Sequence, residues 1–448
     1  MMKYIKLLIL SFISLSVSAQ TVVKQDAGIK QMVDEVSAKN IEAIVRKLVS
    51  FKTRHTLSDT LSKTEGIGAA RNWIKSEFEK YAAASNGRMH VVFDAFVQPK
   101  SDRVNKPTPM KNVLAILKGA DTADHRVYIV SGHYDSRATK AMDSTSVAPG
   151  AVDDASGSAL SMELARVMAK RSFPATIIFM TVVGEEQGLY GSGNVAKRAK
   201  AEGWQVDAML NNDIVGNTHG METDLKDNRS IRVFSDGVPT AATDKEIAAL
   251  KALGGENDSQ SRELARYVKE IGERYVDQLD VKLIYRRDRY LRGGDHLPFL
   301  EQGFTAVRFT EMNEDFNRQH QDIRTENGTQ YGDLPDFADY NYTQKIARMN
   351  LSVLANLALA PARPQNVGII TSDLTNKTKL KWDAPKGKAP AGYYVLMRET
   401  ISPYWEKKFY VTGTTATLTY SKDNYLFAVQ AVDADGHESL PVFPKPVR

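Results

Sequence analysis

The sequence predicts an α/β domain built on a mixed, mostly parallel sheet flanked by helices, followed by a C-terminal all-β sandwich. Two observations carry this reading. Up to about residue 360, apolar strand-like runs alternate with stretches of helical period; beyond it, only short alternating strands separated by turn residues remain. The length agrees, because 448 residues exceed the size at which one core usually keeps growing, so a large domain plus a smaller one is the default. A hydrophobic content of 42% against 25% charged residues can support a large core and argues against disorder.

At the N-terminal end, Lys3 and Lys6 precede an apolar run from Leu7 to Val17, and Val17-Ser18-Ala19 supplies the small residues of a cleavage site. Residues 1–19 are therefore expected to be a secretory signal peptide, and the protein to be exported to a periplasm or the cell exterior. The apolar run is shorter than the roughly 20 residues of a spanning helix, and no other segment approaches that length, so no membrane span is expected after cleavage. The large domain is expected over 20–360 and the small one over 361–448.

Helical period occupies Val36 to Phe51 and Gly68 to Tyr81, where Trp73, Phe78 and Tyr81 recur on one face. Strand-like runs follow at His90 to Val97, Asn112 to Leu117 and Val127 to Ser131. Leu160, Leu164, Val167 and Met168 share a face of a helix spanning Ser158 to Lys170, and Thr176 to Val183 is an apolar strand run ending at Gly184. After PARPQNV, with Pro361 and Pro364, the segments around Trp382, Tyr393 to Met397, Phe409 to Val411, Ala416 to Leu418 and Tyr425 to Val432 read as short strands. The Trp382 strand, the run YLFAVQAVD and the turn DADGHES resemble a fibronectin type III module. Contact with a cell surface or another protein is one role for such a module, and a passive spacer is the other.

No cysteine occurs, which excludes disulfides, thiolate metal ligands and a cysteine nucleophile. Basic residues are scattered among acidic ones at a formal net charge of +5, so no footprint for nucleic acid is visible.

In open α/β sheets, ligands gather beyond the carboxyl ends of the strands, and His133, Glu185 and Asp213 each follow or end an apolar strand run. His133 taken alone is as well read as a packed histidine, but Asp135, two positions on in extended chain, faces the same way and can orient its ring. Asp153 and Asp154 suit a helix cap; Gly150 and Gly157 around them also permit a turn that brings two carboxylates to one point, with Asp153 bridging two metals and Asp154 orienting it. Glu185 and Glu186 follow a buried strand, so one carboxylate can bind metal, Glu186, while Glu185 serves as general base. Asp213 in NNDIVG has a turn or cap as its plain reading, and His296 in GGDHLPF a surface loop. In sequence order, these residues form the inventory of a two-zinc hydrolase.

The ordered set GHYDS, GAVDDASG, GEEQGLYGS, NNDIVG and GGDHLPF, over about residues 36–358, resembles the clan of two-zinc exopeptidases. That clan includes bacterial leucyl aminopeptidases, glutamate carboxypeptidases and the single-zinc glutaminyl cyclases. The resemblance implies two zinc ions, with His133 and Asp213 on one, Glu186 and His296 on the other, Asp153 on both, Glu185 as base and Asp135 supporting His133. It implies a secreted aminopeptidase acting on peptides. The other readings are a carboxypeptidase or dipeptidase, a glutaminyl cyclase, or a catalytically silent binding ectodomain. Cobalt or manganese would accept the same ligand types. Three segments depart from the pattern. Gly216 to Lys282 matches no specificity element. Arg286, Arg287, Arg289 and Arg292 either form a solvated charged face or clamp a substrate carboxylate. His320 in FNRQHQD resembles a histidine-bearing segment of the relatives and is a candidate oxyanion or substrate contact.

Overall fold

An eight-stranded mixed sheet organises the computed structural model, in which residues 24–448 are described; the expected signal peptide lies outside the described residues. Three helices precede the sheet: α1 (Ala27–Glu35), α2 (Ala38–Val49) and α3 (Gly66–Ala83). The first two start where side chains satisfy free backbone donors, Asp26 accepting from Ile29 N and Ser37 from Asn40 N. The period read over Val36 to Phe51 is thus α2 with its cap, and Gly68 to Tyr81 is α3 extended by two residues at each end. Ile41, Ile44, Val45 and Leu48 put one face of α2 into the core, each stabilising by about 1.5–3 kcal/mol.

The strands of the large sheet are β1 (Met89–Gln98), β2 (Thr108–Leu117), β3 (Arg126–His133), β4 (Thr176–Val182), β5 (Gln205–Asn212), β6 (Ser230–Phe234), β7 (Asp280–Ile284) and β8 (Ala306–Glu311), in spatial order β1-β2-β4-β3-β5-β8-β6-β7. The central four, β4, β3, β5 and β8, are mutually parallel, while β1–β2, β2–β4 and β6–β8 pair antiparallel. Helices cover both faces, which is why β3 and β4 read as continuous apolar runs rather than alternating ones. Neighbours Ile129 and Val130 of β3 enter separate cores. Val130 packs with residues of α1 to α3, α4 (Ala155–Met168), α8 (Gln260–Tyr275) and α10 (Tyr340–Leu359), and Ile129 with residues of α6 (Tyr190–Ala201) and α9 (Leu297–Glu301). Gly216 to Lys282, unassigned from sequence, contributes β6, the surface helix α7 (Asp244–Leu253), α8 and most of β7.

The described residues contain no helix long and apolar enough to cross a membrane. A small hairpin, β9 (Arg324–Glu326) with β10 (Thr329–Tyr331), precedes α10. Beyond α10 come β11 (Gln365–Ile370), β12 (Thr378–Asp383), β13 (Gly392–Glu399), β14 (Lys407–Val411), β15 (Thr415–Leu418), β16 (Tyr425–Val432) and β17 (Lys445–Val447). They form two sheets, β15-β12-β11-β17 and β14-β13-β16, whose inner residues Val367, Leu380 and Trp382 meet Tyr393, Val395 and Val429 in a core of their own. A buried ionic cluster fastens this module to α8. Asp258 Oδ1 lies 3.0 Å from Arg266 Nη1 and 2.6 Å from Arg398 Nη2, and Trp405 donates to Glu263 at 2.9 Å.

Candidate metal centre

The carboxyl ends of β3, β4 and β5 lie side by side, and the candidate site residues leave the sheet there. His133 is the last residue of β3, Glu185 and Glu186 open a one-turn helix α5 (Glu185–Gly188) just after β4, and Asp213 follows β5. Asp153 arrives from the loop before α4. Its peptide bond to Asp154 is cis. Gly150 turns this loop with φ +48°, and a Cβ on Gly157 would stand 2.1 Å from the Asn212 carbonyl, so only glycine lets α4 approach β5 this closely.

Each acid neighbour has a distinct job. Asp154 accepts from His133 N at 2.9 Å and Gly157 N at 2.9 Å, capping α4 and tying it to the end of β3. The Asp135 carbonyl, rather than its carboxylate, is the closer partner of His133 Nδ1, at 3.1 Å against 3.6 Å. The Asp135 carboxylate accepts from Thr56 Oγ1 at 3.0 Å and from the backbone of Glu186 at 3.3 Å, so it joins β3 to the turn carrying the two glutamates. That turn is helical, entered through Gly184 in the left-handed region, and Glu185 and Glu186 diverge as successive residues of a helix, not as an extended pair.

Two groups of side chains converge: His133, Glu185 and Asp213, and Asp153, Glu186 and His320, with ligand atoms within 4.8 Å of one another in each. Asp153 stands between them. Its Oδ1 lies 3.2 Å from His133 Nε2 and its Oδ2 3.0 Å from His320 Nε2, which also lies 2.7 Å from Glu186 Oε1. The structure therefore brings together His133, Asp153, Glu185, Glu186 and Asp213, and adds His320.

His296 does not join them, which corrects its expected place as a ligand. It is the N-cap of α9, fully buried, with Nε2 bonded to the Arg287 carbonyl at 2.8 Å. Burial lowers its imidazole to about 4 despite nearby Asp288, so it is a neutral packing histidine that holds the chain at Arg287. The glycines of GGDH serve a neighbour: a Cβ on Gly294 would stand 2.7 Å from Arg308 Nη1. Sequence reasoning also missed Arg308, Arg54 and Asp333. Arg308 pairs with Asp213 Oδ2 at 2.9 Å. Buried Arg54 donates to the carbonyls of Tyr134, Pro149 and Gly150, and Asp333 accepts from Asp153 N at 2.8 Å; between them they fix the Asp153 loop. Nothing in the local sequence around these three marks them, since their partners are distant in the chain.

The electrostatics are those of crowded buried acids and two histidines. Burial works against the charged form of His133, but Asp135 and Asp153 raise its imidazole well above the ordinary value; His320 likewise, against burial, is raised to about 10 by Glu186 and Asp153. Burial would raise Asp153, yet His320 and His133 hold it well below the usual carboxylate range. Glu185 moves the other way, pushed up by burial and by Asp213 and Glu186, with His133 opposing.

These residues fit a pair of divalent cations. With Nδ1 bonded to the Asp135 carbonyl, His133 Nε2 is buried without a hydrogen-bond partner and faces Asp153 and, at 3.9 Å, Asp213. A ring nitrogen facing two carboxylates needs a proton or a cation between them, and the donor set of imidazole and carboxylate suits zinc. A cavity of about 340 Å³ opens over both groups, and its wall also carries Arg103, Arg137, Arg289 and Arg292. The arginine run thus divides. Arg289 and Arg292 reach the cavity, whereas Arg287 pairs with Glu301 and Arg286 stacks over Tyr290.

Residues 112–354, which contain every residue of the two groups, match the family described as Peptidase family M28. The chain belongs to peptidase family M28. A relative from Leptosphaeria maculans, described as a "probable zinc metalloprotease", is 49% identical over 93% of this chain and 97% of its own length. Among solved structures, this M28 peptidase is similar to the LapA aminopeptidase of Legionella pneumophila, with a TM-score of 0.53 and 19% identity over 75% of this chain and 76% of that one. It is also similar to the glutaminyl cyclase of Macrostomum lignano, with a TM-score of 0.51 and 15% identity over 75% of this chain and 94% of that one. At these identities the likeness concerns the fold, which peptidase and cyclase share.

Proposed function

We propose that this M28 peptidase is an exported two-zinc exopeptidase that acts as an aminopeptidase. The observation that carries the reading is the placement of Asp153 with one carboxylate oxygen toward each histidine of two separate three-residue groups. In this assignment His133 and Asp213 would hold one zinc and Glu186 and His320 the other, with Asp153 available to both. Glu185 is left over in the first group, as a base must be.

Bound zinc supplies Lewis acidity toward a water and toward the scissile carbonyl. The rest falls to the protein. Glu185, which is assigned to neither zinc, takes a proton from the attacking water and delivers it to the leaving amine. Asp135 keeps His133 in the tautomer that turns Nε2 to the metal side, and Arg308 keeps Asp213 pointing the same way. The relative's description as a zinc metalloprotease supports the metal, and the pair of complete groups favours a peptidase over a one-zinc cyclase.

The reading includes a cleaved signal peptide at 1–19, a peptidase domain over 20–360, and a fibronectin type III-like module over 361–448 that contacts a cell surface or another protein. Hydrolysis of free-amino and N-blocked peptides by zinc-loaded protein tests the central part. Release of amino-terminal residues from the free-amino peptides alone, lost in Glu185→Gln, is expected; cleavage of blocked peptides would overturn the aminopeptidase assignment.

A further inference from the structure

We propose that the free edge of β1 is a docking strand for the substrate: an extended peptide, its amino terminus in the catalytic cavity, pairs antiparallel with residues 93–98. This deepens the aminopeptidase reading of that cavity and rests on it. β1 is an outer strand of the large sheet, paired with β2 on one side, and among the described residues no strand pairs with its other side. Such a strand presents a row of free N–H and C=O groups, and proteins commonly blunt it with lysine, proline, a bulge or a short length. β1 has none of these. It runs ten residues in unbroken register without proline, and it exposes Val92 and Val97. Its one carboxylate, Asp94, is buried and held by Asn112 and Asn194 at 2.9 Å each, so no charge guards the edge.

A groove follows this edge to the catalytic cavity. Phe96 to Gln98 border a cavity of about 410 Å³, and Phe93 to Ala95 a second of about 610 Å³. Successive side chains of a strand point to opposite faces, so a groove bordered by consecutive residues faces the strand's edge. The other wall is one stripe of α6: Gly193, Asn194 and Lys197 line the first cavity, and Asn194, Lys197 and Ala201 the second. Gly188 and Leu189 line both the first cavity and the catalytic one, which makes the three continuous.

Strand polarity fits an amino terminus at the metals. β1 is antiparallel to β2, and β2 to β4, so β1 runs in the direction of β4 and Gln98 lies at the same sheet edge as Glu185 and Glu186. A substrate that starts at the catalytic cavity and leaves along the groove runs opposite to β1. That is the antiparallel pairing, slightly the more stable of the two. Added strands of this kind are held by main-chain hydrogen bonds, which tolerate varied sequences. At about 3.3 Å per residue, the edge over residues 93–98 accommodates about six residues of extended chain.

The test uses the zinc-loaded full chain and a series of amidated peptides, Leu at the amino terminus followed by alternating Thr and Val, of two, four, six, eight and ten residues. Binding to the Glu185→Gln protein is measured by calorimetry, and kcat/KM by hydrolysis with the wild type. Affinity is expected to rise about tenfold or more from two residues to eight and to change little from eight to ten, with the gain in KM rather than kcat. Only alternate residues of an added strand bond to the edge. The eight-residue peptide N-methylated at its third and fifth residues, and the one methylated at its fourth and sixth, are therefore expected to differ: one loses most of the gain and the other keeps it. Gly193 has open space where a Cβ would stand, and Gly193→Phe, which fills the groove, is expected to abolish the gain. The methylated peptides test the pairing without any change to the groove. Equal affinity across the series, equal effects of the two methylated sets, or a gain unchanged in Gly193→Phe would overturn the proposal. So would a concentration-dependent dimer, lost in Gly193→Phe, in place of the length effect, since the edge would then serve a second copy of the chain. Failure of the peptidase reading is separate: it appears as no hydrolysis of any peptide, while the binding series still decides the role of β1.

Discussion

Arg308 Nη2 lies 2.9 Å from Asp213 Oδ2, with both side chains buried at the carboxyl edge of the sheet. The same guanidinium reaches Asp288 Oδ2 at 3.3 Å, so it spans two carboxylates and fixes one Asp213 oxygen while the other faces His133 at 3.9 Å. Lysine keeps the charge but cannot span both partners. Arg308→Lys is therefore expected to weaken zinc binding by about 10–100-fold in chelator competition, as removal of an orienting partner does. Unchanged affinity would reduce Arg308 to a packing role.

Glu185 carries the proton traffic and holds neither metal in this assignment. Glu185→Gln is expected to lower kcat by a factor on the order of 10²–10⁴ while leaving zinc content intact. A loss of zinc with the activity would make Glu185 a ligand instead.

Glu314 gives a pH signature away from the metals. Burial alone would raise it, but Arg289, Arg292 and Arg232 hold it down to about 2. A depressed carboxyl contributes stability that is full above its unfolded value of 4.5 and is lost as pH falls toward 2. The stability difference between wild type and Glu314→Gln, followed by urea denaturation, is expected to be largest above about pH 5 and to shrink steadily below it. A difference independent of pH would contradict the ionic account of this cluster.

The C-terminal module is coupled to α8 through buried charge. Removing Arg398 leaves Asp258, fully buried, with Arg266 as its remaining partner. Arg398→Ala is expected to cost about 3–5 kcal/mol, and calorimetry of the wild type to show one transition for both parts. Two separate transitions would mean that the module folds and melts on its own.

Much of this was legible in the sequence because of where the chemistry sits. His133, Asp153, Glu185, Glu186 and Asp213 each lie within a few residues of a buried strand or helix start, and the first four stand near a glycine that close packing or a left-handed turn requires, so pattern and composition expose them together. The segment around His320 offers no such signal. It is an irregular loop, and the histidine takes a left-handed conformation at φ +55° that no neighbouring residue type announces. His296 looked better because GGDHLPF has the glycines of a functional turn, but those glycines make room for Arg308 and for Leu297. The amphipathic helix α8 and strand β6 went unread because charged residues dilute their apolar positions, whereas their burial comes from α10, β8 and the C-terminal module.

Zinc stoichiometry of the wild type, His320→Gln and His296→Gln tests the central claim most directly. Two zinc ions per chain in the wild type, about one in His320→Gln and two in a less stable His296→Gln are expected. Full zinc content in His320→Gln together with loss of an ion in His296→Gln would contradict the assignment.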